Sequence, residues 1–179
     1  VSANGGNGVS SAIISDNIFG KWVRSQNIQV WNGDNTSAAR RRIKQLSITG
    51  NISLSQSQYF VFIGANTAYT YEGIQQLDIS NNIIDGENSI FDYTSPNSFA
   101  IRLRGTEVGD SYNIKNNQIR YKYYGIYNDT TNTTVNTFQN TFYTVTDHYA
   151  PANNVVESLG INTQGEMDQT LEGLGGVRL

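Results

Sequence analysis

Apolar and polar positions alternate in short runs along this chain, and one arrangement recurs. It is apolar-x-apolar-x-x-Asn, usually followed within two residues by another apolar side chain. The copies are Ala12-x-Ile14-x-x-Asn17, Leu46-x-Ile48-x-x-Asn51, Leu77-x-Ile79-x-x-Asn82 and Tyr112-x-Ile114-x-x-Asn117, with a degenerate fifth, Val135-x-Thr137-x-x-Asn140. Successive Asn residues are 34, 31, 35 and 23 positions apart. Apolar residues two apart point to one face of a strand, so each copy predicts a strand with one face to bury. A second short strand is predicted ahead of each later copy, at 28–30, 59–63, 100–103 and 124–126. One copy is too small to bury its apolar face alone, whereas stacked copies bury it against one another, as in a solenoid. The Asn at the turn suits this plan. It adopts or supports a left-handed bend, and stacked amides can form a ladder of hydrogen bonds. The alternative organisation is an antiparallel sandwich with Asn turns.

Composition strengthens the all-β expectation. The chain has 179 residues, the size of one domain. It is rich in Ile, Val, Thr, Tyr and Phe, which suit strands. Only 15% of residues are charged, yet mean hydropathy is -0.43. Uncharged groups supply the polarity: 22 Asn, 11 Gln, 16 Ser and 16 Thr. Short helices are predicted at 37–46, where Ser37 can cap an Ala- and Arg-rich run, and at 166–172. The body of the repeat spans 9–154. Residues 1–8 form a flexible lead or linker, and 155–179 a C-terminal cap, tail or oligomer contact. Val1 in place of an initiator Met suggests processing or excision, and no signal peptide is visible.

Charge and missing residue types exclude several functions. A formal charge of -3 lacks the basic excess of a nucleic-acid binder. No apolar run approaches the roughly 18 residues of a membrane span. Without cysteine there is no disulfide or thiolate metal site, and one histidine, His148, cannot form a histidine metal cluster. Neither a phosphate-binding loop, nor a dinucleotide fingerprint, nor a nucleophile elbow is present, and no cofactor or metal is expected.

The repeat resembles the right-handed parallel β-helix of the pectate-lyase-like superfamily, over residues 9–154 and about five coils. The Asn- and Tyr-rich, Cys-free character is similar to bacteriophage tailspikes and tail-fibre polysaccharide-binding proteins. The resemblance implies a homotrimer on a virion tail that binds a bacterial surface polysaccharide. Depolymerisation by hydrolysis or β-elimination would be the enzymatic version. A structural or adhesive segment of a trimeric fibre, and a secreted bacterial pectinase- or epimerase-like protein, are the alternatives.

Candidate chemistry lies mainly in the turns of varying length at 32–45, 64–76, 104–111 and 128–134, which stacking would align along one side. Glycoside hydrolysis needs two carboxyl groups about 5 to 9.5 Å apart, and adjacent parallel strands are about 4.8 Å apart. Glu72, Glu107 and Asp110 are therefore the candidate catalytic acid and base, with Asp78 facing outward beside them. The substrate-binding candidates are Arg40, Arg42, Tyr69, Tyr71, Asp78, Arg102, Arg104 and Tyr127. Alternation in 101–104 and 119–123 predicts an outward basic strip that includes Arg102, Arg120 and Lys122, suited to an acidic polysaccharide. A second insertion at 85–98 brings Asp85, Glu87 and Asp92. Tyr121, Tyr123, Tyr124 and Tyr127 suit sugar rings, interfaces or interior stacking. The bland alternative for the charges is a solvated loop or sheet face.

Overall fold

The computed structural model describes residues 11–21, 25–32, 43–54, 57–65, 74–87, 91–105, 111–130, 133–150 and 155–157. In these residues the apolar alternation becomes fourteen strands and no helix. They are β1 (Ser11–Ser15), β2 (Ile18–Phe19), β3 (Gln26–Asn32), β4 (Ile43–Thr49), β5 (Ile52–Ser53), β6 (Tyr59–Ala65) and β7 (Ile74–Ser80). There follow β8 (Ile83–Asp85), β9 (Phe99–Gly105), β10 (Ser111–Lys115), β11 (Gln118–Thr130), β12 (Val135–Phe138), β13 (Thr141–Ala150) and β14 (Val155–Glu157). Residues 43–46 belong to β4, so the helix expected at 37–46 does not reach them. Ile43, Leu46 and Ile48 turn toward the core as a strand, and this burial outweighs local propensity. The rest of that segment, and 166–172, lie outside the described residues.

All described pairings between strands are parallel, which rules out the antiparallel sandwich. One six-stranded sheet runs β1-β4-β7-β10-β12-β14. A second runs β2-β5-β8-β11-β9-β6-β3, with β13 on β11. Strand β11 joins two stacks there: its first residues pair with β8 and its last with β9. Register aligns the repeat copies residue for residue. Ala12, Leu46, Leu77, Tyr112 and Val135 form one row, and Ile14, Ile48, Ile79, Ile114 and Thr137 the next. These rows meet Ile28, Val30, Val61, Ile63, Ile101, Leu103 and Ile126 from the other sheet in one core. Each fully buried aliphatic side chain contributes about 1.5–3 kcal/mol.

The motif asparagines form a ladder. Asn17 Nδ2 donates to Asn51 Oδ1, Asn51 to Asn82, Asn82 to Asn117 and Asn117 to Asn140, at 3.0, 3.0, 2.9 and 3.0 Å. The backbone N–H of each donor residue reaches the same oxygen. In the opposite direction, Nδ2 of Asn51, Asn82, Asn117 and Asn140 donates to the carbonyls of Ile14, Ile48, Ile79 and Ile114. The amides of all four are buried, and burial is tolerated because their polar atoms are paired. Asn51-Ile52-Ser53 fits the N-glycosylation sequence pattern, but the buried Asn51 leaves no room for a glycan. Of the two roles expected for the motif Asn, adopting the left-handed bend or supporting it, the second holds, since the bend lies one residue earlier. Asp16, Gly50, Asn81, Asn116 and Gln139 have φ of 58, 68, 58, 56 and 51°. The ladder Asn thus follows the bend and secures it from the side.

Candidate functional site

The corner within β11 begins with the same conformational device. Tyr121 has φ of 54°, and Thr144, opposite it on β13, has φ of 51°. Alternation breaks there, so Arg120 stays outside while Lys122 turns inward. Lys122 is 1% exposed, and its Nζ donates to the Ser57 carbonyl at 2.6 Å. Desolvation pushes its pKa down to about 8, partly offset by the Asp85 charge. The expected outward strip is therefore corrected at Lys122: the left-handed residue shifts the phase of the strand. Gly86 permits the close approach at this corner. A Cβ there would lie 2.3 Å from the Tyr121 carbonyl oxygen and 3.1 Å from Lys122 Cε.

Outside this corner stands a cluster of tyrosines. Tyr121 meets Tyr143 edge-on at 5.7 Å and Tyr93 at 6.4 Å between ring centroids. Tyr93 and Tyr143 remain 41% and 52% exposed. The segment carrying Tyr93 is held by its own turn and by β13. Asp92 Oδ1 accepts from the Thr94 N–H and hydroxyl, at 2.9 and 2.7 Å, and Thr146 Oγ1 donates to the Tyr93 carbonyl at 2.7 Å. Beside the rings, Arg120 Nη2 pairs with Asp85 Oδ2 at 2.8 Å, and Asp85 Oδ1 accepts the Glu87 N–H at 3.0 Å. Partial desolvation, then Tyr143 and Glu87, raise the pKa of the Tyr121 phenol, which stays neutral and able to donate. The arrangement offers aromatic surface, phenolic hydroxyls and a fixed ion pair to a ligand with both apolar and hydroxylated faces.

Farther along the same sheet a second aromatic group is packed instead. Register places Tyr59, Phe99 and Tyr124 in one row. Tyr59 and Tyr124 stack on opposite sides of Phe99 in the row, with centroids 5.1 and 4.9 Å away and interplanar angles of 13° and 19°. In the adjacent row are Phe62, Arg102 and Tyr127. The Arg102 guanidinium lies 4.7 Å from the Phe99 centroid and 5.2 Å from that of Tyr127. It donates to Tyr59 Oη at 3.2 Å and pairs with Asp129 at 3.8 Å. Tyr59, Phe62 and Phe99 are buried.

The structure thus brings Arg102 and Tyr127 together, as packing partners of an aromatic stack. Arg104 is exposed at the end of β9, in register with Asp129. Asp78 does face outward, but from the six-stranded sheet, away from Arg102. Its Oδ2 accepts from Lys115 Nζ at 2.8 Å, in a shallow hollow of about 300 Å³ lined also by Gln45, Gln76 and Asn113. Glu72, Glu107, Asp110, Arg40, Arg42, Tyr69 and Tyr71 lie outside the described residues. His148 stacks on Phe142, with ring centroids 4.6 Å apart. No group of three His, Asp or Glu side chains is placed to hold a metal among the described residues.

Tyr93 and Tyr143 were not singled out by the sequence, because they come from separate segments and no common spacing links them to Tyr121. The buried row had a readable signal: Tyr59-x-Val61, Phe99-x-Ile101 and Tyr124-x-Ile126 repeat an aromatic two residues before a β-branched residue. No family model, curated protein or solved structure matches this chain.

Proposed function

We propose that this chain is a glycan-binding domain built as a right-handed parallel β-helix of about five coils, similar to the pectate-lyase-like superfamily. Its role is that of a phage tailspike or tail-fibre segment, which attaches the virion to a bacterial surface polysaccharide as part of a homotrimer. The in-register copies and the Asn ladder support the coil reading. The observation that carries the binding reading is the exposed cluster of Tyr93, Tyr121 and Tyr143 against the Arg120–Asp85 pair. Aromatic faces cover the apolar face of a sugar ring, while phenol and guanidinium groups meet its hydroxyls.

The test is retention of the full chain on immobilised capsule or O-antigen polysaccharides. Retention that Tyr143→Ala reduces at least tenfold, with the fold unchanged by circular dichroism, supports the site. Undiminished retention of that variant removes the site, and no retention on any bacterial glycan removes the function. Release of oligosaccharides in the same incubation would add depolymerase activity, for which Glu107→Gln is the variant to examine.

A further inference from the structure

The charges around the tyrosine corner define which glycan it accepts. Asp85, Glu87 and Asp92 come from β8 and the segment that follows it, and Arg120 comes from β11. Arg120 is already committed to Asp85 at 2.8 Å. Glu87 is exposed beside them, and Asp92 spends one oxygen on its own turn. The residues between Glu87 and Phe91 are Asn88, Ser89 and Ile90, which carry no charge. Of the basic residues expected in the outward strip, Lys122 lies inside the corner, where its ammonium interacts with the Asp85 charge, and Arg102 is held by Asp129 and the aromatic rows. Among the described residues the rings therefore stand beside three carboxylates, Asp85, Glu87 and Asp92, against the Arg120 guanidinium, which binds Asp85 through one nitrogen, and the buried Lys122 ammonium.

We propose that the tyrosine corner selects neutral glycans and rejects those bearing carboxylate, phosphate or sulfate groups. This rests on the glycan-binding reading above and specifies its ligand class. It reverses the acidic-polysaccharide expectation drawn from strand alternation. A uronate carboxylate over these rings meets an excess of carboxylates, Glu87 among them, and must compete with Asp85 for the Arg120 guanidinium, so its loss of hydration is poorly compensated. A neutral hexose places its ring on Tyr143 or Tyr93, and its hydroxyls donate to the carboxylates already present.

The experiment uses matched probes: uronic-acid-containing bacterial polysaccharides and the same polymers after chemical reduction of their carboxyl groups to primary alcohols. Binding of the full chain to both is measured at low and at high salt. The expected result is binding about tenfold tighter to the reduced polymers at low salt, with the gap narrowing as salt screens the repulsion. Glu87→Gln should narrow the gap at low salt by strengthening binding to the native acidic polymers. Tighter binding to the native acidic polymers, or a preference that Glu87→Gln does not alter, overturns the selectivity and leaves the glycan-binding reading in place. Failure of the chain to bind either form, or any neutral glycan in parallel, overturns both.

Discussion

Tyr121 and Tyr124 lie on one strand, three residues apart, yet belong to opposite kinds of surface. Tyr124 extends a row in which each ring lies flat on the next, held by strand register. Its ring faces are used on Phe99 and its neighbours. Tyr121 occupies a left-handed bend, meets its neighbours edge-on or tilted, and stands between two half-exposed rings. Aromatic content alone does not distinguish the two. Phase does: a row in register turns aromatics into packing, and a break in register turns them into surface.

The largest effect expected from separating the two is on stability. Phe99→Ala removes the ring on which Tyr59, Tyr124, Tyr127 and the Arg102 guanidinium converge, and should cost about 3–5 kcal/mol in urea unfolding. A cost below 1 kcal/mol would mean that the row contributes no packing. Lys122, between the two regions, provides the next. Its folded pKa of about 8 lies below the ordinary 10.5. Below pH 8 the ammonium is charged in both folded and unfolded chains, and its burial opposes folding. From pH 8 upward the folded chain loses the proton first, so stability should rise, by ~2–3 kcal/mol at pH 10. Lys122→Met should raise stability at pH 7 and abolish that rise, as read from unfolding midpoints between pH 7 and pH 10. A flat wild-type profile over that range would contradict the burial of Lys122.

Smaller effects belong to the exposed corner. Gly86→Ala puts a methyl group against the Tyr121 carbonyl and the Lys122 side chain. It should cost about 1–3 kcal/mol and lower glycan affinity along with stability. Tyr143→Ala should change stability by no more than about 0.5 kcal/mol, because the ring is half exposed, while reducing glycan retention. If Tyr143→Ala destabilised the fold as strongly as Phe99→Ala, the distinction between the packed and exposed regions would collapse.

Much of the scaffold was legible because its determinants are local and repeated. Leu46, Ile48 and Asn51 declare a strand and its turn without knowledge of any partner, and the same triplet at 77–82 declares the next layer. The left-handed bends were less legible. Gly50, Asn81 and Asn116 suit positive φ, but Tyr121 and Thr144 do not advertise it, so the inward turn of Lys122 was hidden from a period-two reading. The outward placement of Asp78 followed correctly from its two apolar neighbours. The tyrosine corner was illegible for another reason. Tyr93 and Tyr143 are far apart in sequence, and the corner that unites them depends on the bend at Tyr121.

The Asn ladder separates two properties that are usually tied together in a folded chain. Its rungs are 34, 31, 35 and 23 residues apart, yet the amide distances remain 2.9–3.0 Å. Rung geometry is therefore independent of contour length between rungs. Segments can be inserted, trimmed or exchanged between one Asn and the next at the modest entropic cost of a longer or shorter loop. Loss of a single residue between Ile48 and Asn51 would instead put that one amide out of step with Asn17 and Asn82. The ladder thus works as an indexing mark: it keeps count of parallel strands, not of residues, and leaves the segments between them open to variation.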